Sequence, residues 1–337
     1  MNILAIDIGA GTQDVMVYDG EKGFDNAYKL VLPSPTRLFA GEVRKSKQDL
    51  VIHGDTMGGG PFSRTVLEHL QKYRVYMTER AARTLRDDLE IVKSYGIEII
   101  SEDEVENKKA KPVRISDFNR GLLPFLSSFG VDISFDVIAI AVQDHGIAPQ
   151  GVTDRENRFR LIEEKVGSGI ESFAYLDNVP ENLSRMHSVF ESVKEWYEGH
   201  ILMMDTGPAA VLGSLEDERV KEKKNRICIN VGNAHTIAMS LNEERITGVF
   251  EHHTHLLDKQ KLSYYIKKLS DGNITFKEVF DDGGHGALAI GENQPEIISV
   301  TGPKRAKMKG LGIFSAPAGD MMMTGPVGLI KAVLSLL

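Results

Sequence analysis

Residues 7–12 have the types and spacing that hold a phosphate group and a divalent cation. An apolar run with Asp7 near its end leads into a loop that contains Gly9, Gly11 and Thr12. Glycines let backbone N–H groups converge on one anion, and a threonine hydroxyl adds a further donor. The Asp7 carboxylate can hold a hydrated divalent cation beside that anion. We therefore predict a phosphate and metal site at the end of the first strand.

The elements around this loop predict a hairpin. A second apolar run, residues 15–18, follows the loop at once, so the loop joins two strands and does not open a helix. A Walker loop would require Gly-x4-Gly-Lys-Ser/Thr, and a dinucleotide fingerprint would require Gly-x-Gly-x-x-Gly before a helix. The sequence has neither pattern here, so both of these common phosphate loops are excluded.

The same arrangement recurs about 220 residues later. Residues 226–239 read as a strand, then Asn230, Gly232, a short loop and Thr236, then a second strand. Recurrence of a whole motif is typical of an internal structural repeat. It predicts two related lobes that each contribute a phosphate-binding hairpin.

Two further strand ends carry groups suited to acid–base chemistry. The apolar run 135–142 is followed by Asp144 and His145, and the run 201–204 is followed by Asp205. In open α/β sheets, ligands bind at the carboxyl ends of strands. Asp144 and His145 are candidates for a general acid–base pair or for a turn, and Asp205 for a group that positions a nucleophile, for a helix N-cap, or for both.

Histidines are concentrated around predicted loops of the second half. The run Glu251-His252-His253-Thr254-His255 follows a predicted strand, and His285 lies in a glycine-rich turn. Imidazoles can bind a transition metal, and His252, His255 and His285 are the candidate ligands. Their spacing matches no standard metal signature, so scattered surface histidines are the alternative.

Composition limits the class of protein. The 337 residues suit two domains, and we place the first lobe at 1–218 and the second at 219–337. A net charge of −8 argues against nucleic acid as a partner, and no apolar stretch is long enough for a membrane span, so we expect a cytoplasmic protein. The single cysteine, Cys228, excludes clusters held by several thiolates. Residues 154–164 read as a polar surface helix.

The order of these motifs resembles the superfamily of sugar kinases, heat-shock chaperone ATPases and actin. The segment 203–215, followed by residues 229–232, is similar to its first connecting helix and second phosphate motif. Within the superfamily, the chain resembles an archaeal actin-like family often labelled as related to pyruvate formate-lyase activating enzyme. The resemblance implies an α/β protein of two ribonuclease-H-like lobes with a nucleotide cleft between them.

The resemblance also implies a set of ligand-binding residues. ATP and Mg²⁺ would lie between the lobes, with Asp7 and Asn230 holding the metal through water. The first phosphate motif, the second phosphate motif and the adenosine motif would contribute Gly9, Ala10, Gly11, Thr12, Gln13, Gly232, Asn233, Ala234, His235, Thr236, Thr301, Gly302 and Pro303. The chain departs from the superfamily at Asn230, where an aspartate is usual, and at Pro303, where a second glycine is usual.

Three functions are consistent with this reading. The leading one is Mg²⁺-dependent phosphoryl transfer from ATP to a small molecule, or ATP hydrolysis, with Asp205, Asp144 and His145 as catalytic candidates. The second is a nucleotide-sensing module that binds a protein partner without turnover, which Asn230 favours. The third is a histidine-metal hydrolase on the same fold.

Overall fold

The computed structural model describes all 337 residues. The strands are β1 Asn2–Ile8, β2 Thr12–Asp19, β3 Tyr28–Pro33, β4 Leu50–Gly54, β5 Val75–Thr78, β6 Glu98–Ile100, β7 Lys111–Ile115, β8 Val137–Val142, β9 Ala174–Leu176, β10 His200–Met204, β11 Asn225–Val231, β12 His235–Asn242, β13 Arg245–His253, β14 Gly286–Ala289, β15 Ile297–Thr301 and β16 Ile313–Phe314. The helices are α1 Pro35–Lys45, α2 Gly60–His69, α3 Glu79–Ala82, α4 Leu89–Ser94, α5 Leu122–Ser128, α6 Asp154–Glu163, α7 Ser184–Lys194, α8 Thr206–Ser214, α9 Glu218–Lys221, α10 Lys259–Ser270, α11 Phe276–Asp281 and α12 Thr324–Leu336.

The first sheet has the strand order β3-β2-β1-β8-β10-β9. The predicted hairpin forms β1 and β2, and β8 pairs in parallel with both β1 and β10. Every residue of β8 is buried, as expected for an apolar strand covered on both faces. Parallel pairing brings the carboxyl ends of β1, β8 and β10 to one edge, where Asp7, Asp144 and Asp205 lie.

The second sheet repeats this plan in the order β14-β13-β12-β11-β15-β16. Its strands β13-β12-β11-β15-β16 correspond in order and direction to β3-β2-β1-β8-β10. The two hairpin loops close in the same way, because Gly9 N donates to Thr12 O and Gly232 N donates to His235 O, both at 2.9 Å. The prediction of two ribonuclease-H-like lobes is therefore confirmed.

Helices α8 and α12 cross between the two sheets. A Cβ atom added at Gly213 would overlap the Thr324 carbonyl, and one added at Gly328 would overlap that of Ala209, so glycine is needed at this crossing. Helix α8 packs on the second sheet, whereas α12 packs on β1, β2 and β8 of the first. The last helix, which the sequence assigned to the second lobe, thus packs against the first.

A smaller unit is inserted between β3 and β8. Its parallel sheet has the order β6-β5-β4-β7 and a separate core that includes residues of α1, α2, α3 and α4. The sequence did not reveal this unit as a separate sheet. The loop that joins β4 to α2 connects it to the cleft between the lobes.

Candidate functional site

A cavity of about 690 Å³ lies between the two lobes. Both hairpin loops, the carboxyl ends of β8 and β10, the start of α12 and the loop of the inserted unit line this cavity. The parallel strands therefore deliver the predicted groups to one place, as expected at the carboxyl edge of such sheets.

Asp7 lies in the floor of this cavity. Its Oδ1 is shielded from solvent and has no hydrogen-bond partner. Burial raises the pKa of the Asp7 carboxyl, and the nearby Asp14 and Asp205 carboxylates raise it further. A Cβ atom at Gly325 would overlap this carboxyl group, so the start of α12 approaches Asp7 closely. An unpartnered carboxylate oxygen among like charges is suited to a cation.

Most of the predicted ATP-binding residues line the cavity. They are Gly9, Ala10, Thr12, Asn230, Gly232, Asn233, Ala234, His235, Thr301, Gly302 and Pro303. Gly11 is not part of the lining, because it packs against the side chain of Asn233 in the opposite hairpin. The two hairpin tips are therefore in contact with each other.

Gln13 and Thr236, which were predicted to bind ATP, do not line the cavity. Gln13 is buried and its amide donates to the Pro33 carbonyl at 3.1 Å. Thr236 is fully buried and its hydroxyl bonds to Thr254 at 3.0 Å. Each is the second residue of its strand, and side chains of successive strand residues point to opposite faces. The alternation thus turns the same position of both hairpins away from the cavity.

The turn after β15 lies very close to Asn230 at the end of β11. Gly302 has a φ of +94°, and a Cβ atom there would come within 2.5 Å of both Asn230 Oδ1 and Val231 O. A side chain would be strained in this conformation and would collide with its neighbours. Glycine at this position therefore brings the end of β15 against Asn230.

Asp144 is engaged in the fold. Its carboxylate accepts from Gly146 N at 2.8 Å and from Met186 N at 2.9 Å. Burial raises its pKa, while these two backbone donors act in the opposite direction. The geometry matches the turn role left open for this residue, because both oxygens have backbone donors.

The helix 154–164 is not a surface helix, contrary to the prediction. Helix α6 is present, but Arg158 within it is buried and forms ion pairs with Asp205 and Glu251. Its guanidinium donates to both oxygens of Asp205, to both oxygens of Glu251, and to Asp144 O at 2.8 Å. Asp205 also accepts from Gly207 N at 3.0 Å, so it is a helix N-cap. We call these three residues the Arg158 triad.

The triad connects the two lobes. Arg158 belongs to α6 and Asp205 to the end of β10, whereas Glu251 lies on β13 of the second sheet. The guanidinium holds the pKa of Glu251 below its ordinary range despite burial. The side chains are only 4%, 4% and 2% exposed, so solvent does not screen these ion pairs. Two carboxylates facing one guanidinium leave a formal charge of −1.

Histidines form a second group in the cleft. The rings of His145, His235, His253 and His285 cluster in tilted and edge-to-face contacts, and the His285 centroid lies 4.8 Å from those of His235 and His253. The donor atoms of His145, His235 and His285 all lie within 4.8 Å of one another. Burial lowers the pKa of His145 to about 3 and that of His285 to about 4. Neutral imidazole is the form that binds metals.

The structure does not group His252 and His255 with His285. His252 Nε2 lies 3.0 Å from Asp282 Oδ2, on the face of β13 opposite to Glu251 and His253. His255 is exposed to solvent. Strand alternation separates His252 from its neighbours, so of the three predicted ligands only His285 lies in the group of converging imidazoles.

Several residues of the site could not be found from the sequence. Arg158 lies in a segment rich in charged residues without a clear apolar face, and nothing in its spacing points to burial. Arg185 is similar; it forms a bidentate pair with Asp117 at 2.7 and 3.1 Å beside the inserted loop. Their partners are distant in sequence, so only the fold brings these charges together.

Three solved structures are similar to this chain along its full length. A hexokinase, "Crystal Structure of ROK Hexokinase from Thermus thermophilus", shares 10% identity over 99% of this chain and 100% of that one, with a TM-score of 0.34. The "PilM-PilN type IV pilus biogenesis complex" shares 12% identity over 99% of this chain and 99% of that one, with a TM-score of 0.43. A Bacteroides thetaiotaomicron VPI-5482 protein "with actin-like ATPase fold and unknown function" shares 10% identity over 99% of this chain and 95% of that one, with a TM-score of 0.37.

A comparison with proteins of curated function finds no match to this chain. No helix in the structure combines the length and the apolar character that crossing a membrane requires. The model of the family described as "Putative pyruvate format-lyase activating enzyme (DUF1786)" matches residues 57–307, which is more than half of the chain, and the protein therefore belongs to this family.

Proposed function

We propose that this protein binds ATP with Mg²⁺ in the cleft between its lobes and transfers or hydrolyses the terminal phosphoryl group. The observation that carries the proposal is the pair of equivalent hairpins, each closed by the same hydrogen bond, that face one cavity together with the unpartnered Oδ1 of Asp7. Backbone donors on two sides of a phosphate chain stabilise the charge that develops during phosphoryl transfer.

The charge of the cavity supports a requirement for a metal ion. Its lining includes seven carboxyl groups and five guanidinium groups, so with every carboxyl ionised its formal charge is negative even though nucleotides are anions. A divalent cation beside Asp7 would offset both charges and would neutralise oxygens of the phosphate chain. The amide of Asn230 would contribute a neutral ligand from the second hairpin.

The small molecule that accepts the phosphoryl group would lie toward the inserted unit. Arg83 and Arg86 line that side of the cavity, and Arg86 is exposed without an ion-pair partner. Guanidinium groups bind carboxylates and phosphates through paired donors. A small anionic acceptor therefore suits this wall of the cavity better than a neutral one.

A non-hydrolysing nucleotide sensor is the second candidate. Both oxygens of Asp205 are engaged by Arg158, so this carboxylate is not free to position a water molecule in the observed conformation. Asn230 removes a metal-directing charge as well. Both features lower the expected rate of turnover without weakening phosphate binding by the backbone.

The activity named in the family description does not fit the residues of this chain. Radical activation of that kind uses an iron–sulfur cluster held by several thiolates. The chain has one cysteine, Cys228, which is fully buried in β11. We therefore derive no step through such a cluster.

The test is calorimetric titration of ATP, ADP and AMP with and without Mg²⁺. Wild type is compared with Asp7→Asn and with Asp25→Asn, a matched change on an exposed loop. The proposal expects Mg²⁺-dependent ATP binding that is lost only in Asp7→Asn. Equal affinities in all three proteins, or no binding to wild type, would contradict it.

Turnover is measured separately by phosphate release. Detectable release from wild type that falls in Asp205→Asn supports the enzyme. Tight binding without release, with hydrolysis gained in Asn230→Asp, supports the sensor.

A further inference from the structure

Three imidazoles converge in the cleft from separate parts of the chain. His145 follows β8 of the first lobe, whereas His235 begins β12 and His285 precedes β14 in the second lobe. Their donor atoms lie within 4.8 Å of one another, and all three side chains line the cavity. No two of them are close in sequence, so the grouping exists only in the folded protein.

The donor atoms of this group are available to a ligand. His285 is fully buried, yet neither of its ring nitrogens has a hydrogen-bond partner. His235 Nδ1 lies 2.7 Å from Gln143 Oε1, and because that oxygen can only accept, Nδ1 carries the proton and Nε2 keeps its lone pair. A buried polar group without a partner costs free energy, which a bound ligand would recover.

We propose that His145, His235 and His285 bind a divalent transition metal of the zinc class across the cleft between the lobes. Three imidazoles with an open fourth position are typical of catalytic zinc sites. Tetrahedral zinc ligands at ordinary bond lengths have nitrogens about 3.4 Å apart. Side-chain rotations that shorten the separations of up to 4.8 Å by at most about 1.4 Å complete the site.

The surrounding residues match those of metal centres. The side-chain amide oxygen Oε1 of Gln143 orients His235, and Glu251 Oε2 lies 3.9 Å from His285 Nδ1. Ligating histidines usually direct their second nitrogen to a carbonyl or carboxylate of this kind. His253, whose ring centroid is 4.8 Å from that of His285, flanks the group as a fourth imidazole.

Charge supplies an independent reason for a cation here. The Arg158 triad is buried next to the imidazoles and has a formal charge of −1, because Asp205 and Glu251 face a single guanidinium. A buried charge without compensation is unfavourable. A divalent cation held by neutral imidazoles would offset it directly.

Helix α6 keeps two of the three ligands in position. Asn157 donates to the His145 carbonyl at 2.8 Å, and Arg155 donates to the Gly284 carbonyl at 2.7 Å, one residue before His285. The metal site therefore has a rigid support that reaches both lobes. Metal binding would join the lobes and would raise the temperature at which the protein unfolds.

The test uses Co²⁺ and Zn²⁺ with metal-free protein prepared by chelation. Tetrahedral Co²⁺ is followed by its visible absorption, and bound Zn²⁺ by elemental analysis. We expect one metal per chain for wild type, and an affinity lowered about 100-fold or more in His145→Asn, His235→Asn and His285→Asn. Gln143→Leu leaves the ligands intact and is expected to lower affinity by about 10-fold.

His200→Asn and His255→Asn are the matched controls. Both histidines are exposed and lie outside the group of three, so their variants should bind the metal as wild type does. Unfolding in the presence of chelator, followed by circular dichroism, establishes that each variant is folded before its affinity is compared. Should a ligand variant fail to fold, Gln143→Leu and the remaining ligand variants decide the matter.

The proposal is overturned if wild type binds no Co²⁺ or Zn²⁺, or if the ligand variants bind as tightly as wild type. Loss of metal in His255→Asn alone would instead support the ligand set predicted from sequence. Asp7→Asn is expected to keep the transition metal. This variant therefore separates failure of the histidine site from failure of nucleotide binding.

Discussion

Arg158→Leu should be among the most destabilising single changes in this protein. The substitution removes the guanidinium that pairs with Asp205 and Glu251, and it leaves both carboxylates buried with a combined charge of −2. Five hydrogen bonds from the guanidinium are lost at the same time. Removing one partner from a buried ion pair typically costs about 3–5 kcal/mol of unfolding free energy.

The assay is urea unfolding at pH 7, followed by far-ultraviolet circular dichroism and by the fluorescence of Trp196, the only tryptophan. Agreement of the two signals tests whether the lobes unfold together. Lys224→Leu is the control, because the Lys224–Glu243 pair is 75% and 65% exposed. Exposed pairs contribute about 0–1 kcal/mol.

A double variant tests the cause of the loss. In Arg158→Leu with Glu251→Gln, one of the two orphaned carboxylates is neutral, so the combined cost should be smaller than the sum of the single costs. Additive costs, or a loss below about 1 kcal/mol in Arg158→Leu, would refute the assignment of the triad as the tie between the lobes.

Three further results are expected. Gly328→Ala places a methyl group against the Ala209 carbonyl and should lower the free energy of unfolding in urea by about 1–3 kcal/mol. The control Gly41→Ala in α1 meets nothing within 4 Å and should raise it by about 0.5–1 kcal/mol, so equal effects would contradict the tight helix crossing. Burial raises the pKa of Asp14 from 3.8 to about 7, so its destabilising effect begins above the unfolded value and is complete only above the folded one. Asp14→Asn should therefore raise the melting temperature more at pH 8 than at pH 5 and least at pH 3, and a gain that shrinks as the pH rises would contradict this sign. Burial also raises the pKa of the Cys228 thiol to about 11, so a thiol reagent at pH 8 should label it far more slowly in the native protein than in urea. Equal labelling rates would show that β11 is accessible to the reagent.

Local pattern was enough to predict the two hairpins. Asp7 and Asn230 end apolar runs that are followed by small residues, and a second apolar run begins within a few positions. These patterns of strand and turn residues lie within short segments, so they can be recognised without knowledge of the fold. Gln13 and Thr236, which the sequence predicted as ligand-binding residues, lie one position beyond residues that line the cavity, because strand alternation decides which neighbour faces it.

By itself, the sequence determined the chemical groups at the ends of the strands, the internal repeat, and the lack of thiolates for a metal cluster. Only the tertiary structure decided which of these groups meet. The partners of Arg158 lie 47 and 93 residues away, and the three clustered histidines come from three segments and both lobes. Spacing along a chain reports the periodicity of one element, whereas a site between lobes depends on how two sheets and their connecting helices pack. Burial then altered the chemistry of the assembled groups: it left Asp7 with an unpartnered oxygen and placed Asp205 in an ion pair, which no local pattern encodes.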